Sequence, residues 1–308
     1  MQSNRELMKS GTLTTGDVTA GLLSPEQSKT FLKQVFEKTT IGGIVRHEMR
    51  RARTGEIDKI GIDARILRKK IENFDDGYRQ KPKYDKVEYA TTAVRLPWEI
   101  TEETLRENIE GQSHEQTIHD LMTTQLALDS EDLYFNGDEN VAEDDEDFDF
   151  LKINDGWVKQ LETGSHIVDG SQINDGEISL DLFYSALKAI PNKYNNGSLR
   201  WLAPPSFIQA WEKYLLNLSI QKGGGLSESM MRAPASIPFH SVPSLQSDRV
   251  ILTNPKNLIV VNTYDTKIRK TVEGKEAIMQ DKRFYVIHFD YDTIIEEKDA
   301  AALITGIK

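Results

Sequence analysis

The sequence predicts an α+β protein organised on one long helix, with an extended β-hairpin ahead of it and a mixed α/β region behind it. Three observations carry that reading. Between Ser113 and Asn136 no Gly or Pro interrupts the chain, Ser113 with Gln116 forms a capping-box pair, and Asn136-Gly137 is a C-terminal stop. Apolar residues alternate from Lys59 to Ile66 and again from Lys86 to Leu96, as in strands with one covered face. Beyond Ile178, amphipathic helices and short strand-like runs follow one another, as in an α/β unit.

In 308 residues, 38% of them apolar, there is material for a sizeable core and for two compact units. Acidic residues outnumber basic ones by 49 to 38, a net charge of -11, which disfavours gripping phosphates; DNA near such a protein is expected to be enclosed rather than bound by sequence. The absence of cysteine excludes disulfides, iron-sulfur ligation and Cys-based zinc, and fits synthesis in a reducing cytoplasm. Residues 1–21 lack the apolar stretch of a signal peptide, and no apolar run approaches the length of a membrane span, so a soluble protein without a membrane partner is expected.

Taken in order, residues 1–22 read as an arm without its own core. Ser24-Pro25-Glu26-Gln27 starts a short helix bearing Phe31, Leu32, Val35 and Phe36, which ends near residues 39–43. Arg46, His47, Arg50, Arg51 and Arg53 form a basic cluster, read as a solvated face or a contact to a neighbour's carboxylates or enclosed nucleic acid. In the hairpin, Ile60, Ile62, Ala64 and Ile66 mark one covered face, and the returning strand changes phase before Val94 and Leu96, as at a bulge. The connecting segment from Leu67 to Asp85, roughly 19 residues, far exceeds an ordinary hairpin loop. Such a loop is expected to project and rest on another subunit, through Arg68, Lys69, Lys70, Arg79, Lys81 and Lys83. Pro97-Trp98 closes the hairpin, Thr101 caps a short helix to Ile109, and Gly111 breaks it.

The long helix spans about six turns, roughly 35 Å. Ile118, Leu121, Met122, Leu126, Leu128 and Leu133 fall within about 160° of arc and predict its covered side. Gln125, Asp129 and Asp132 interrupt that arc, so its C-terminal half is expected over something more polar. From Asp138 to Asp149 there are eight acidic residues and no basic one. Glu143, Asp144, Asp145, Glu146 and Asp147 read as a solvated loop or as the receiver of a neighbour's basic loop or basic cluster, a contact that salt would weaken. Helices follow over Ile178–Ile190 and after Pro204-Pro205-Ser206, then strands at Leu199–Ala203, Arg249–Thr253, Leu258–Asn262, Thr266–Lys270, Arg283–Phe289 and Ala301–Ile307, with a turn-rich loop from Gly223 to Pro238.

No catalytic, cofactor or metal site is expected. His114 and His119, at i and i+5, point about 140° apart on a helix and cannot share a metal. Asp175-Gly176-Glu177 lacks the outer ligands of a calcium loop and reads as a helix cap; Gly223-Gly224-Gly225 lacks the end of a phosphate loop.

The order of arm, short helix, hairpin, long helix, acidic segment, α/β region and terminal strand resembles the tailed-bacteriophage major capsid proteins with the Hong Kong 97 fold. The resemblance runs over nearly the whole chain and is most telling at Leu22-Leu23-Ser24-Pro25-Glu26-Gln27, from Thr101 to Gly111 with Asn136-Gly137-Asp138, and from Ile237-Pro238-Phe239 through Val250 to Leu258. It implies an N-terminal arm over 1–34, a connection over 35–54, an extended loop over 55–97, a peripheral domain over 98–177 rejoined by 276–308, and an axial domain over 178–275. It also implies a non-enzymatic shell subunit, forming hexameric and pentameric capsomers of an icosahedral virion capsid around double-stranded DNA. Assembly is then expected in the host bacterial cytoplasm, with a separate scaffolding protein and a portal and without a Lys-Asn crosslink. The alternatives are an encapsulin-like nanocompartment shell of the same fold and, in another class, a carboxylate-based hydrolase of discrete small size.

Overall fold

The computed structural model describes residues 21, 22, 25–62, 66–69, 72, 75, 77–107, 113–222 and 233–308. Strand β1 is Gly21–Leu22, helix α1 Pro25–Lys38, β2 Arg46–Arg50, β3 Thr54–Gly61, β4 Lys83–Ala90, β5 Thr92–Thr101, α2 Glu102–Glu107, α3 Ser113–Asn136, α4 Phe148–Leu151, α5 Trp157–Glu162 and β6 His166–Asp169. Then come α6 Leu180–Ala189, β7 Arg200–Ala203, α7 Pro205–Lys222, β8 Phe239–Ser241, β9 Val250–Thr253, β10 Leu258–Thr263, β11 Lys267–Thr271, α8 Lys275–Gln280, β12 Lys282–Ile295 and β13 Ala301–Thr305. Three sheets result: a six-stranded one with path β1-β11-β12-β10-β2 and β5 added to β12, a five-stranded one in the order β6-β13-β9-β7-β8, and the isolated pair β3-β4.

The cores follow from strand alternation. In the five-stranded sheet Val250, Leu252, Ala302 and Ile304 face α6 and α7, where Phe183 meets Trp201 and Trp211 edge-on at 4.9 and 4.8 Å. Ile251, Ala301 and Leu303 face the other way, into the cluster of α1, α3, α5 and the larger sheet. Both faces being covered, β9 is buried along its whole length, which is why it reads as a continuous apolar run. In β12 Tyr285, Ile287 and Phe289 point into the core and Phe284, Val286 and His288 do not, as their alternation predicts.

The long helix has the expected bounds, and Leu126 and Leu133 of the expected side are buried, but the covered stripe is turned away from the rest of that side. Leu121 and Leu128 are 62% and 49% exposed, whereas His119, Thr123, Leu126, Ala127, Ser130, Glu131 and Tyr134 form the covered stripe. The C-terminal half lies on a closed core, not a polar layer: Phe135 meets Trp157 edge-on at 5.0 Å and Tyr134 packs on Tyr291 at 5.5 Å. Of the stripe's polar members, Thr123 donates its hydroxyl to the His119 carbonyl at 2.8 Å, whereas His119 Nδ1 is buried without a partner among the described residues. Glu131 accepts from the Thr40 amide and hydroxyl, both at 2.6 Å, and from the Ser244 hydroxyl at 3.1 Å. A leucine count misses this because partners supplied from about a hundred residues away make a carboxylate buriable.

The hairpin differs too. Its ladder runs from Thr54↔Ala90 to Gly61↔Lys83, so Ile62 and Ile66 lie beyond the strands and Ile60, Ile62 and Ile66 are exposed. Ala64 and the expected break at Gly111 lie outside the described residues. The phase change at Thr91 is not a bulge. There the chain leaves one ladder for another, since β5 pairs with β12 from Tyr291↔Thr92 to Lys282↔Thr101. Pro97 and Trp98 therefore sit within a strand rather than closing the hairpin, and Pro97 is tolerated because β5 is an edge.

Two smaller corrections concern charge and turn chemistry. The Arg46–Arg53 cluster lies on β2 and just after it, and is largely neutralised within the chain: Arg46 pairs with Glu48 and Glu296, Arg50 with Glu48, and Arg53 with Asp290 at 2.9 Å. His47 stacks on Phe36 and lies 2.7 Å from Asn262 Oδ1. Asp175-Gly176-Glu177 does not cap a helix. Asn174 and Asp175 adopt positive φ in a tight turn, and α6 starts only after Ser179.

The assignment of the buried stripe is checked by two truncations in the unassembled subunit. Leu126→Ala should cost about 2–5 kcal/mol in denaturant unfolding, and Leu128→Ala less than about 0.5 kcal/mol. Equal losses would contradict it.

Candidate assembly surfaces

The projecting hairpin is firmly rooted and otherwise uncovered. At its root Ile57 and Tyr89 pack on Ile259, Val261 and Ile294, Lys59 pairs with Glu297, and the Ala90 amide donates to Asp292 Oδ2 at 2.7 Å. Burial pushes the Asp292 carboxyl up, against hydrogen bonds from Asn154 and from the Ala90 and Thr293 amides that favour its charged form. A Cβ at Gly55 would lie 2.7 Å from the Tyr89 hydroxyl, so any larger residue there requires the Tyr89 ring to shift. Eight paired residues then carry the ladder about 24 Å outward. Toward its far end the ladder is open among the described residues: Ile60 is 67%, Tyr84 71% and Leu67 98% exposed.

Of the cations expected to make contacts, Lys69, Lys81 and Lys83 are exposed. Arg68 stacks 4.1 Å over the Tyr78 ring and Arg79 pairs with Asp75, so these two shape the loop itself. Lys70 lies outside the described residues.

The acidic run is held at its base and free at its tip. Asp138 donates its amide to the Leu151 carbonyl at 2.9 Å and Gly156 to the Gly137 carbonyl at 2.8 Å. These two glycines let three backbone segments touch: a Cβ at Gly156 would lie 2.6 Å from the Phe135 carbonyl, and one at Gly137 2.1 Å from that of Asn154. Glu143, Asp144, Asp145, Glu146 and Asp147 are all exposed, and among the described residues none of them pairs with a cation. Nor does any described ion pair join the hairpin to this run within one chain.

A third surface was not assigned from sequence. The face of β5, β12 and β11 opposite the core carries a groove of about 840 Å³. Register places Arg95, His288 and Lys267 in one row across the strands, Pro97, Val286 and Arg269 in the next, and Glu99, Phe284 and Thr271 in the third. Their alternation with buried neighbours was legible in β12, but that β5 and β11 flank it was not. On the opposite face the start of α3 is clamped to the sheet: Glu115 bonds Lys270 and, at 2.8 Å, Arg283 Nη1, while Arg283 donates from Nε and Nη2 to the two carboxylate oxygens of Glu102. That grip holds the Glu102 carboxyl below its ordinary range. His119 is buried beside Trp98, and no group of three metal-ligating side chains occurs among the described residues.

A projecting hairpin, a rigid long helix and two sheets in this order are the Hong Kong 97 fold, the shell-forming class shared by phage capsids and encapsulins. No protein-family model matches the chain. It is 28% identical to the Bacillus subtilis (strain 168) protein YqbE, named as a prophage capsid protein, with 99% of each chain covered. A satellite phage P4 procapsid structure that includes the size-determination protein Sid superposes with TM-score 0.68 over 100% of this chain and 98% of that one, at 16% identity. The holo-SrpI encapsulin of Synechococcus elongatus PCC 7942 superposes with TM-score 0.52 over 100% and 96%, at 10% identity. Within that fold, the full-length sequence likeness falls on the phage-capsid side. No helix among the described residues is long and apolar enough to cross a membrane.

The clamp at the base of the acidic run is directly testable. Gly156→Ala should lower the unfolding midpoint of the subunit, by about 2 kcal/mol or more, because backbone rather than a flexible side chain must give way. An unchanged midpoint would show that the three segments do not touch.

Proposed function

We propose that this chain assembles as hexamers and pentamers into an icosahedral shell enclosing double-stranded DNA, built in the host bacterial cytoplasm with a separate scaffolding protein and a portal. The observation that carries the proposal is the likeness, over 99% of both chains, to a protein named as a prophage capsid protein. The exposed hairpin supports it physically, since Leu67 at 98% exposed and Tyr84 at 71% would gain burial against another molecule. The net charge of -11 suits a wall that encloses DNA without gripping it. In this reading the chain divides into an arm over 1–34, a connection over 35–54, the extended loop over 55–97, a peripheral domain over 98–177 and 276–308, and an axial domain over 178–275. The subunit acts by packing rather than catalysis. Contacts between copies involve the hairpin cations Arg68, Lys69, Lys70, Arg79, Lys81 and Lys83 and the carboxylates Glu143, Asp144, Asp145, Glu146 and Asp147. An encapsulin-like compartment shares the fold, and the contents of purified particles, genome or cargo enzyme, separate the two.

Light scattering and electron microscopy of the purified protein should show megadalton particles. Replacing residues 62–82 by an Asn-Gly turn should reduce particle yield at least tenfold while leaving the unfolding midpoint of the subunit nearly unchanged. Normal shells from the shortened chain would contradict the role of the hairpin, and a wild-type protein that stays a small oligomer would contradict the capsid reading.

A further inference from the structure

Resting on the shell-forming reading, we infer that the open groove of β5, β12 and β11 receives the acidic run of a second copy of the chain, in a head-to-tail contact. The groove has an apolar floor of Pro97, Val286 and Phe284 and a rim whose anion is already neutralised, because Glu99 pairs with Lys282. Lys267 is likewise engaged, with Asp265. Arg95 and Arg269 are exposed, and among the described residues neither has a carboxylate partner. The complementary feature of the same chain is the run from Glu143 to Asp147, five exposed carboxylates that have no cation partner among the described residues.

The two cannot meet within one molecule. Glu115 pins the first turn of α3 to the sheet that bears the groove, and Gly137 pins its far end to the base of the acidic run. The 22 residue steps from Glu115 to Gly137 span about 33 Å at the helical rise. The run is a closed excursion tied between Asp138 and Leu151, and Asp145, seven residues from Asp138, reaches about 25 Å at most even if fully extended. Its own turns, from Val141 to Asp138 and from Asp145 to Ala142, shorten that reach. Donor and acceptor surfaces at opposite ends of one rigid rod define a heterologous contact, the type that closes into a ring when its rotation is commensurate. The hairpin of a neighbour is the weaker occupant, since Lys69, Lys81 and Lys83 would bring like charge to Arg95 and Arg269.

The chain has no cysteine, so introduced thiols report unambiguously. Ala93→Cys, on the groove face beside Arg95, and Ala142→Cys, at the edge of the acidic run, are combined in the full-length protein, which is oxidised and run on a denaturing gel. The expected result is a covalent ladder continuing past the dimer to the ring size, reduced at least tenfold when Arg95→Glu and Arg269→Glu are added. Each single cysteine variant should stop at dimer. A ladder from Gln80→Cys with Ala142→Cys, and none from Ala93→Cys with Ala142→Cys, would overturn the inference and leave the shell reading intact. Particles without either ladder would do the same. If the wild-type protein forms no particles and no pair crosslinks, the shell reading itself falls.

Discussion

Asp292 is the joint on which the projecting part of the molecule is set. It lies on β12, almost fully buried, and accepts from the Ala90 amide at the end of the hairpin ladder, from the Thr293 amide and from Asn154 in the segment that follows the acidic run. One carboxylate thus fixes three things relative to the central strand: where the hairpin leaves the body, where the chain switches from β4 to β5, and where the acidic run returns. A buried charge is costly to desolvate, and here three donors offset part of that cost, burial still holding the carboxyl above its ordinary range. The outcome is a rigid root beneath a ladder that has no covering layer of its own.

That arrangement gives physical content to self-assembly. Rigid elements, the long helix and two packed sheets, determine where the outlying surfaces stand, so the geometry between copies is set before they meet. The outlying surfaces are individually modest: an uncovered two-stranded ladder, a solvated acidic run and an open sheet face. Weak contacts at several places on one body let misplaced copies leave during growth while their sum holds the finished shell. Among the described residues Arg95, Arg269 and the carboxylates from Glu143 to Asp147 have no oppositely charged partner, which makes an association through them sensitive to salt.

Much of this was legible in the sequence, and the exceptions share a cause. The ends of the long helix were readable from Asn136-Gly137 and the unbroken run before it, and the strands of the α/β region from their apolar runs. The buried side of the helix was not, because Ser130 and Glu131 enter the core only when Thr40 and Ser244 arrive as partners. The basic cluster on β2 looked solvent-facing for the same reason: Glu296 and Asp290, which neutralise Arg46 and Arg53, are more than two hundred residues away. The alternation of Ile60, Ile62 and Ile66 predicts a covered face, and among the described residues these three are exposed. A period-two pattern reports that burial is intended, not which molecule supplies it.

The central claim is that the distal hairpin is completed only by another copy. Amide hydrogen exchange compared between unassembled subunits and purified particles tests this most directly. Residues 62–82 should exchange fast in the free subunit and gain at least tenfold protection on assembly, while the β12 amides are already protected in both. Equal protection of 62–82 in the free subunit, or equally fast exchange in the particle, would contradict the account.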